Sequence, residues 1–146
     1  LYCAEQGLLI SGDMLLPKIS TNVSVWSTEP DGDPVGQFLC SLRALTELPD
    51  DTLVLPSHGL PFRGIRARVA ALEAHHAERL GALKDACAEP RTAAEIVPVL
   101  FSRALDVHQL FFAMGEAIAH LNHLHQRGEV SRVLDDAGTY RFCARP

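Results

Sequence analysis

Two residues have the types and the setting for metal chemistry. Asp13 closes the run Leu9-Ile10-Ser11-Gly12-Asp13, and His58 closes Leu53-Val54-Leu55-Pro56-Ser57-His58, 45 positions later. Each stands where an apolar strand should stop and a loop begin, which is where α/β proteins place their ligands and catalytic groups. A carboxylate there can bind a cation, act as a base or cap a loop. An imidazole can ligate a metal or simply pack. Taken alone, Gly12-Asp13 reads as a turn dipeptide and His58 as a packed or solvated side chain. Their occurrence together at two strand ends strengthens the metal reading. Two ligands do not make a hydrolytic centre, and no other metal-spaced cluster precedes them.

The remaining histidines offer less. His75 and His76 are adjacent, so on a helix they point about 100° apart and cannot easily share a metal. His76 falls on an apolar stripe and reads as core. His108, His120, His123 and His125 have no acidic or cysteine partner at ligand spacing and read as surface or interface residues. Arg63, Arg66 and Arg68 form a basic cluster after His58, more ordinary as a solvated helix start than as a site for an anionic substrate. Cys3, Cys40, Cys87 and Cys143 are widely separated. That excludes a Cys-x-x-Cys zinc site and reads as buried free thiols in a reducing compartment.

The elements that would carry these residues are legible from pattern. Leu1 to Cys3 and Gly7 to Ser11 are two short strands around turn chemistry, a hairpin. Asn22 to Trp26 could add a short extended piece, and Glu29 to Pro34 is a breaker-rich loop. Val35 to Leu48 has helical spacing, and Thr52 to Leu55 is a strand. Ile65, Val69, Leu72, His76, Leu80 and Leu83 recur at three and four residues, a long amphipathic helix to Cys87. At Ala88-Glu89-Pro90-Arg91 the composition shifts. Thr92 with Glu95 is a capping box for a helix that Pro98 keeps short or kinked. Asp106 opens a second helix, which Gly128 ends. Val130 to Leu134 and Thr139 to Cys143 flank Asp135-Asp136-Ala137-Gly138 as a β-hairpin. Helix, helix, hairpin after an earlier helix is the order of a winged helix. The expected domains are 1–88, a β/α part, and 89–146, a winged-helix-like part.

The bulk composition sets the limits. At 146 residues, 47% hydrophobic and 21% charged, the chain is globular. No apolar run is long enough to cross a bilayer. The net charge of −5 argues against a nucleic-acid footprint. Residues 85–146 hold six Lys or Arg against eight Asp or Glu, and 106–127 has a single arginine and no lysine. DNA is therefore not the expected partner.

At this point the sequence resembles the metallo-β-lactamase-fold hydrolases. Leu9 to Pro17 looks like the strand and loop bearing their bridging aspartate, and Leu53 to Gly59 like the strand bearing their last histidine. Leu72 to Leu80, Thr92 to Ile96 and Ala119 to Gly128 look like members with a C-terminal winged helix, similar to hydroxyacylglutathione hydrolases and ribonuclease-like β-lactamase-like proteins. The resemblance implies an α/β fold: the C-terminal half of an αββα metallo-β-lactamase sandwich, then a small winged-helix domain. It implies that Asp13 is a metal ligand and catalytic group and His58 a metal ligand. The cofactor would be zinc, two ions in the intact protein, with other divalent metals open. The activity would be hydrolysis of an ester, thioester or similar small substrate by a metal-bound hydroxide, in the cytoplasm. An RNA-processing nuclease of the same fold and a non-enzymatic interaction domain are the alternatives. The family's His-x-His-x-Asp-His motif and its next histidine have no counterpart here, so the chain is expected to be inactive alone. Leu8, Ile10 and Val54 are expected to expose apolar surface that needs the missing N-terminal half of the protein, or a second copy in a homodimer.

Overall fold

A computed structural model describes residues 1–145. Its elements are β1 (Tyr2–Cys3), β2 (Leu8–Gly12), α1 (Pro34–Leu45), β3 (Leu53–Pro56), α2 (Ile65–Ala86), α3 (Ala93–Leu100), α4 (Val107–Gln126), β4 (Val130–Leu134) and β5 (Tyr140–Ala144). This is a mixed α/β order, and the expected elements stand within a few residues of their expected ends. Two differences are physical. No strand forms over Asn22 to Trp26, which is irregular. Helix α1 stops at Leu45, four residues before Pro49, because Thr46, Glu47 and Leu48 close tight turns onto Arg43, Ala44 and Leu45. Contacts divide the chain into two compact units, 1–21 with 37–76 and 22–36 with 77–146. The division runs inside α2, upstream of the composition shift at 88.

In the first unit the sheet order is β1-β2-β3, with β1 antiparallel and β3 parallel to β2. Side chains alternate across a sheet with period two, so register decides what is buried. Leu9 pairs with Val54, and both are buried, at 5% and 0% exposure. Leu8 pairs with Leu53 and Ile10 with Leu55 on the opposite face. There Ile10 is 54% exposed and the other three are half-buried. The expected open apolar face thus exists at Leu8 and Ile10. Val54 is a correction: the register puts it on the covered face. Leu15, Leu16, Phe38, Leu42, Ile65, Val69 and Leu72 are also buried in this unit. His76 is buried too, its ring edge-on to Phe38 with centroids 5.5 Å apart.

The second unit closes around Leu83, Cys87, Ile96, Ala117, Leu121, Leu124, Val130 and Phe142. The expected capping box of Thr92 with Glu95 forms, and the structure adds a second, Asp106 with Gln109. They satisfy helix-start N–H groups that would otherwise lack partners. Helix α3 is eight residues long, as Pro98 demands. Gly128 follows α4 at φ 75°, the left-handed turn expected of it. Strands β4 and β5 form the antiparallel hairpin, and Arg91 bridges to Phe142.

Histidine placement departs from expectation in this unit. His120 and His123 are buried, at 0% and 7% exposure, not on the surface. His120 Nδ1 lies 2.8 Å from the Glu116 carbonyl, and His123 Nδ1 lies 3.0 Å from both oxygens of Asp33. The segment before α1 runs along α4 through further polar contacts. Asn122 donates to the Pro30 and Gly32 carbonyls, and Gln126 donates to the carbonyl of Asp31. Partners some 90 residues away in sequence are invisible to a spacing argument. The cysteines are free, and only Cys87 is fully buried; Cys3 and Cys40 are exposed. Burial, with the nearby Cys143, pushes the Cys87 thiol up to about 11, so it is an inert core group.

Candidate metal-ligand pair

Asp13 and His58 come together at the ends of two neighbouring parallel strands. The register runs Ile10 to Leu55 and then Gly12 to Pro56, so β2 spends two residues where β3 spends one. Such a bulge re-aims the side chain that follows it. Gly12 makes it at φ 57°, a conformation costly for any residue with a Cβ. The Ser57 N–H then donates to the Gly12 carbonyl at 3.1 Å, carrying the ladder one step past the strands. Asp13 and His58 emerge side by side, His58 Nε2 3.5 Å from Asp13 Oδ1.

The loops on either side are tied down. Gly59 turns at φ 86°, and a Cβ there would lie 2.6 Å from Pro17 Cγ. A side chain at 59 would therefore push the His58 turn off the loop that follows Asp13. Ser11 Oγ donates to the Leu15 carbonyl at 2.9 Å. Arg68 reaches from α2 to donate to the carbonyls of Leu16 and Ile19, at 2.6 and 2.9 Å. Its partial burial pulls its pKa below the ordinary arginine value. Arg66 donates to the Leu48 carbonyl at 3.3 Å, and Arg63 to that of Asp51. The basic cluster therefore braces backbone, and its guanidiniums have protein partners.

The pair itself is open to solvent, with side chains 59% and 68% exposed. A carboxylate and an imidazole at this separation could both reach one cation, and both types suit zinc. They supply two donors, about half of what a structural or catalytic zinc site uses. Among the described residues no group of three or more His, Cys, Asp and Glu side chains is placed to hold a metal. His75 and His76 belong to α2 and touch each other edge-on, with ring centroids 5.4 Å apart. Spacing reasoning missed Ser57, whose hydroxyl donates to Asp13 Oδ1. The signal for it was its position directly before a candidate ligand, at the end of a strand.

Comparisons with known proteins bear on the fold. Residues 80–145 match the family model described as metallo-beta-lactamase-like, C-terminal domain. The chain is similar to a beta-lactamase domain protein from Burkholderia ambifaria, at 52% identity and a TM-score of 0.96. It is similar also to a metallo-beta-lactamase family protein from Thermus thermophilus, at 36% identity and a TM-score of 0.84. Each match covers 99% of this chain, but only 43% and 44% of the respective solved chains. No curated protein matches. The mixed α/β chain matches the beta-lactamase-like fold, and its match to the metallo-beta-lactamase-like C-terminal domain is confined to residues 80–145. It spans less than half the length of these relatives. No helix among the described residues is long and apolar enough to cross a membrane.

Proposed function

We propose that this chain is the C-terminal part of a metal-dependent hydrolase of the metallo-β-lactamase superfamily, and that Asp13 and His58 are its contribution to the metal centre. The observation that carries the reading is the convergence of these two side chains at the ends of adjacent parallel strands. The similarity to metallo-β-lactamase family structures supports it. Zinc, or another divalent cation, would supply Lewis acidity and an acidified water for hydrolysis of an ester, thioester or similar small substrate. Asp13 would hold the cation with its carboxylate, shared between two ions in a dinuclear site. His58 would add one directional nitrogen donor. Gly12 and Gly59 let the chain turn so that both side chains aim the same way, and Arg68 fixes the loop after Asp13. The other donors would come from sequence outside residues 1–145.

Three structural expectations go with this reading. The sheet face of Leu8, Ile10, Leu53 and Leu55 is the seam with the other half of an αββα sandwich, or with a second copy. Residues 89–146, with the end of α2, are a winged-helix domain, consistent with their helix, helix, hairpin order. Its work is to shape the cleft or an interface rather than to bind DNA, given its acidic balance.

The test uses the intact protein. Asp13→Ala and His58→Ala should each lower metal-dependent ester or thioester hydrolysis by about 100-fold or more. Unchanged hydrolysis in Asp13→Ala would overturn the assignment. Cleavage of RNA without thioester or ester hydrolysis would move the substrate class to the nuclease alternative. Neither activity, with full folding, would leave an interaction domain.

A further inference from the structure

Ser57 lies between the end of β3 and His58. The bond from its N–H to the Gly12 carbonyl sets it alongside Asp13, and its hydroxyl donates to Asp13 Oδ1. His58 Nε2 stands 3.5 Å from that same oxygen, beyond the usual 2.7–3.2 Å of an N–H···O bond. The hydroxyl thus makes the hydrogen bond to Asp13 Oδ1, while His58 stays at the longer distance.

We propose that Ser57 is a positioning residue for the Asp13 ligand, a proposal that rests on reading Asp13 as a metal ligand. Asp13 is mostly exposed, and among the described residues the Ser57 hydroxyl is the hydrogen-bond donor that orients its carboxylate. Without Ser57 it would swing among rotamers or close onto His58. With Ser57 donating to Oδ1, the carboxylate is held in one orientation. Oδ2 and the remaining lone pair of Oδ1 stay available to a cation, and so does the His58 nitrogen. Hydrogen-bonded partners that orient first ligands typically change metal affinity by about 10–100-fold. Serine at this position is therefore a determinant of how tightly the centre holds its metal, through Asp13 and without touching the metal.

The experiment is zinc binding by the intact protein, read by competition with a chromogenic chelator. Ser57→Ala should weaken zinc binding about 10–100-fold, while Ser57→Thr, which keeps the hydroxyl, should stay within a few-fold of the parent. The metal-free Ser57→Ala protein should melt at the parent's temperature. Zinc loss in Ser57→Ala that tracks a lowered melting temperature, or that Ser57→Thr does not rescue, overturns the proposal. If Asp13→Ala loses zinc and Ser57→Ala does not, the positioning role fails and the ligand assignment stands. If Asp13→Ala binds zinc as the parent does, the ligand assignment itself fails, and the role of Ser57 with it.

Discussion

The two compact units solve the burial problem differently. Residues 77–146, with 22–36, close a core around Leu121, Leu124, Val130 and Phe142, and cap α3 and α4 with side chains from the same unit. Residues 1–21 with 37–76 bury one face of a three-stranded sheet and leave Ile10 on the other face 54% exposed. The candidate ligand pair sits in this unit. Under the proposed reading, a site shared between two parts of a protein would leave an open sheet face and two donors on one of them. The second unit has matched caps and a buried core, yet Trp26, Phe111, Val133 and Leu134 stand exposed on its surface, and among the described residues neither unit holds a group of three or more metal donors.

That contrast should appear first in stability. Leu121 has no exposed surface, so Leu121→Ala should cost about 2–5 kcal/mol, measured by chemical denaturation. Ile10→Ser should cost well under about 1 kcal/mol in the 146-residue chain, yet destabilise the intact protein clearly if the sheet face is a seam there. Equal, small costs in both proteins would break the comparison. A smaller effect tests the caps. Thr92→Ala should cost about 1 kcal/mol by removing the bond to the Glu95 N–H.

The smallest effect is in pH dependence. Burial raises the Glu116 pKa, although Arg79 and Asn22 oppose it. A raised acid pKa means that the folded state holds its proton longer than the unfolded one, so this group's contribution falls as pH rises from the unfolded value to the folded one. Hydrogen bonds from the Thr92 backbone, chiefly, lower Glu95, and the Arg127 bond lowers Glu129. Those groups contribute above their unfolded values and lose that contribution as pH falls through their folded ones. Glu116→Gln removes the contribution of opposite sign. The variant should therefore lose more stability than the parent between neutral and mildly acidic pH. A shallower acid limb in the variant would contradict this account of Glu116.

Much of this was readable in the residues. The capping box at Thr92, the helix start at Asp106, the break at Gly128 and the strand-end positions of Asp13 and His58 all follow from local pattern. What was not readable depends on partners far along the chain. Val54 looked like seam surface until its pairing with Leu9 placed it on the covered face. His123 read as a surface or interface residue because Asp33 is 90 positions away. The arginines after His58 read as a solvated helix start because the carbonyls they hold, on Leu16, Ile19 and Leu48, carry no sequence signature. Ser57 gains its meaning from the parallel register that sets it beside Asp13, and register is a tertiary property.

The central claim is that Asp13 and His58 are half of a metal centre completed from outside this chain. Equilibrium zinc titration of residues 1–146 beside the intact protein tests it most directly. The account predicts weak or no zinc binding by residues 1–146, tight binding by the intact protein, and loss of that binding in intact Asp13→Ala. Tight stoichiometric zinc on residues 1–146 alone, or undiminished zinc in intact Asp13→Ala, would contradict it.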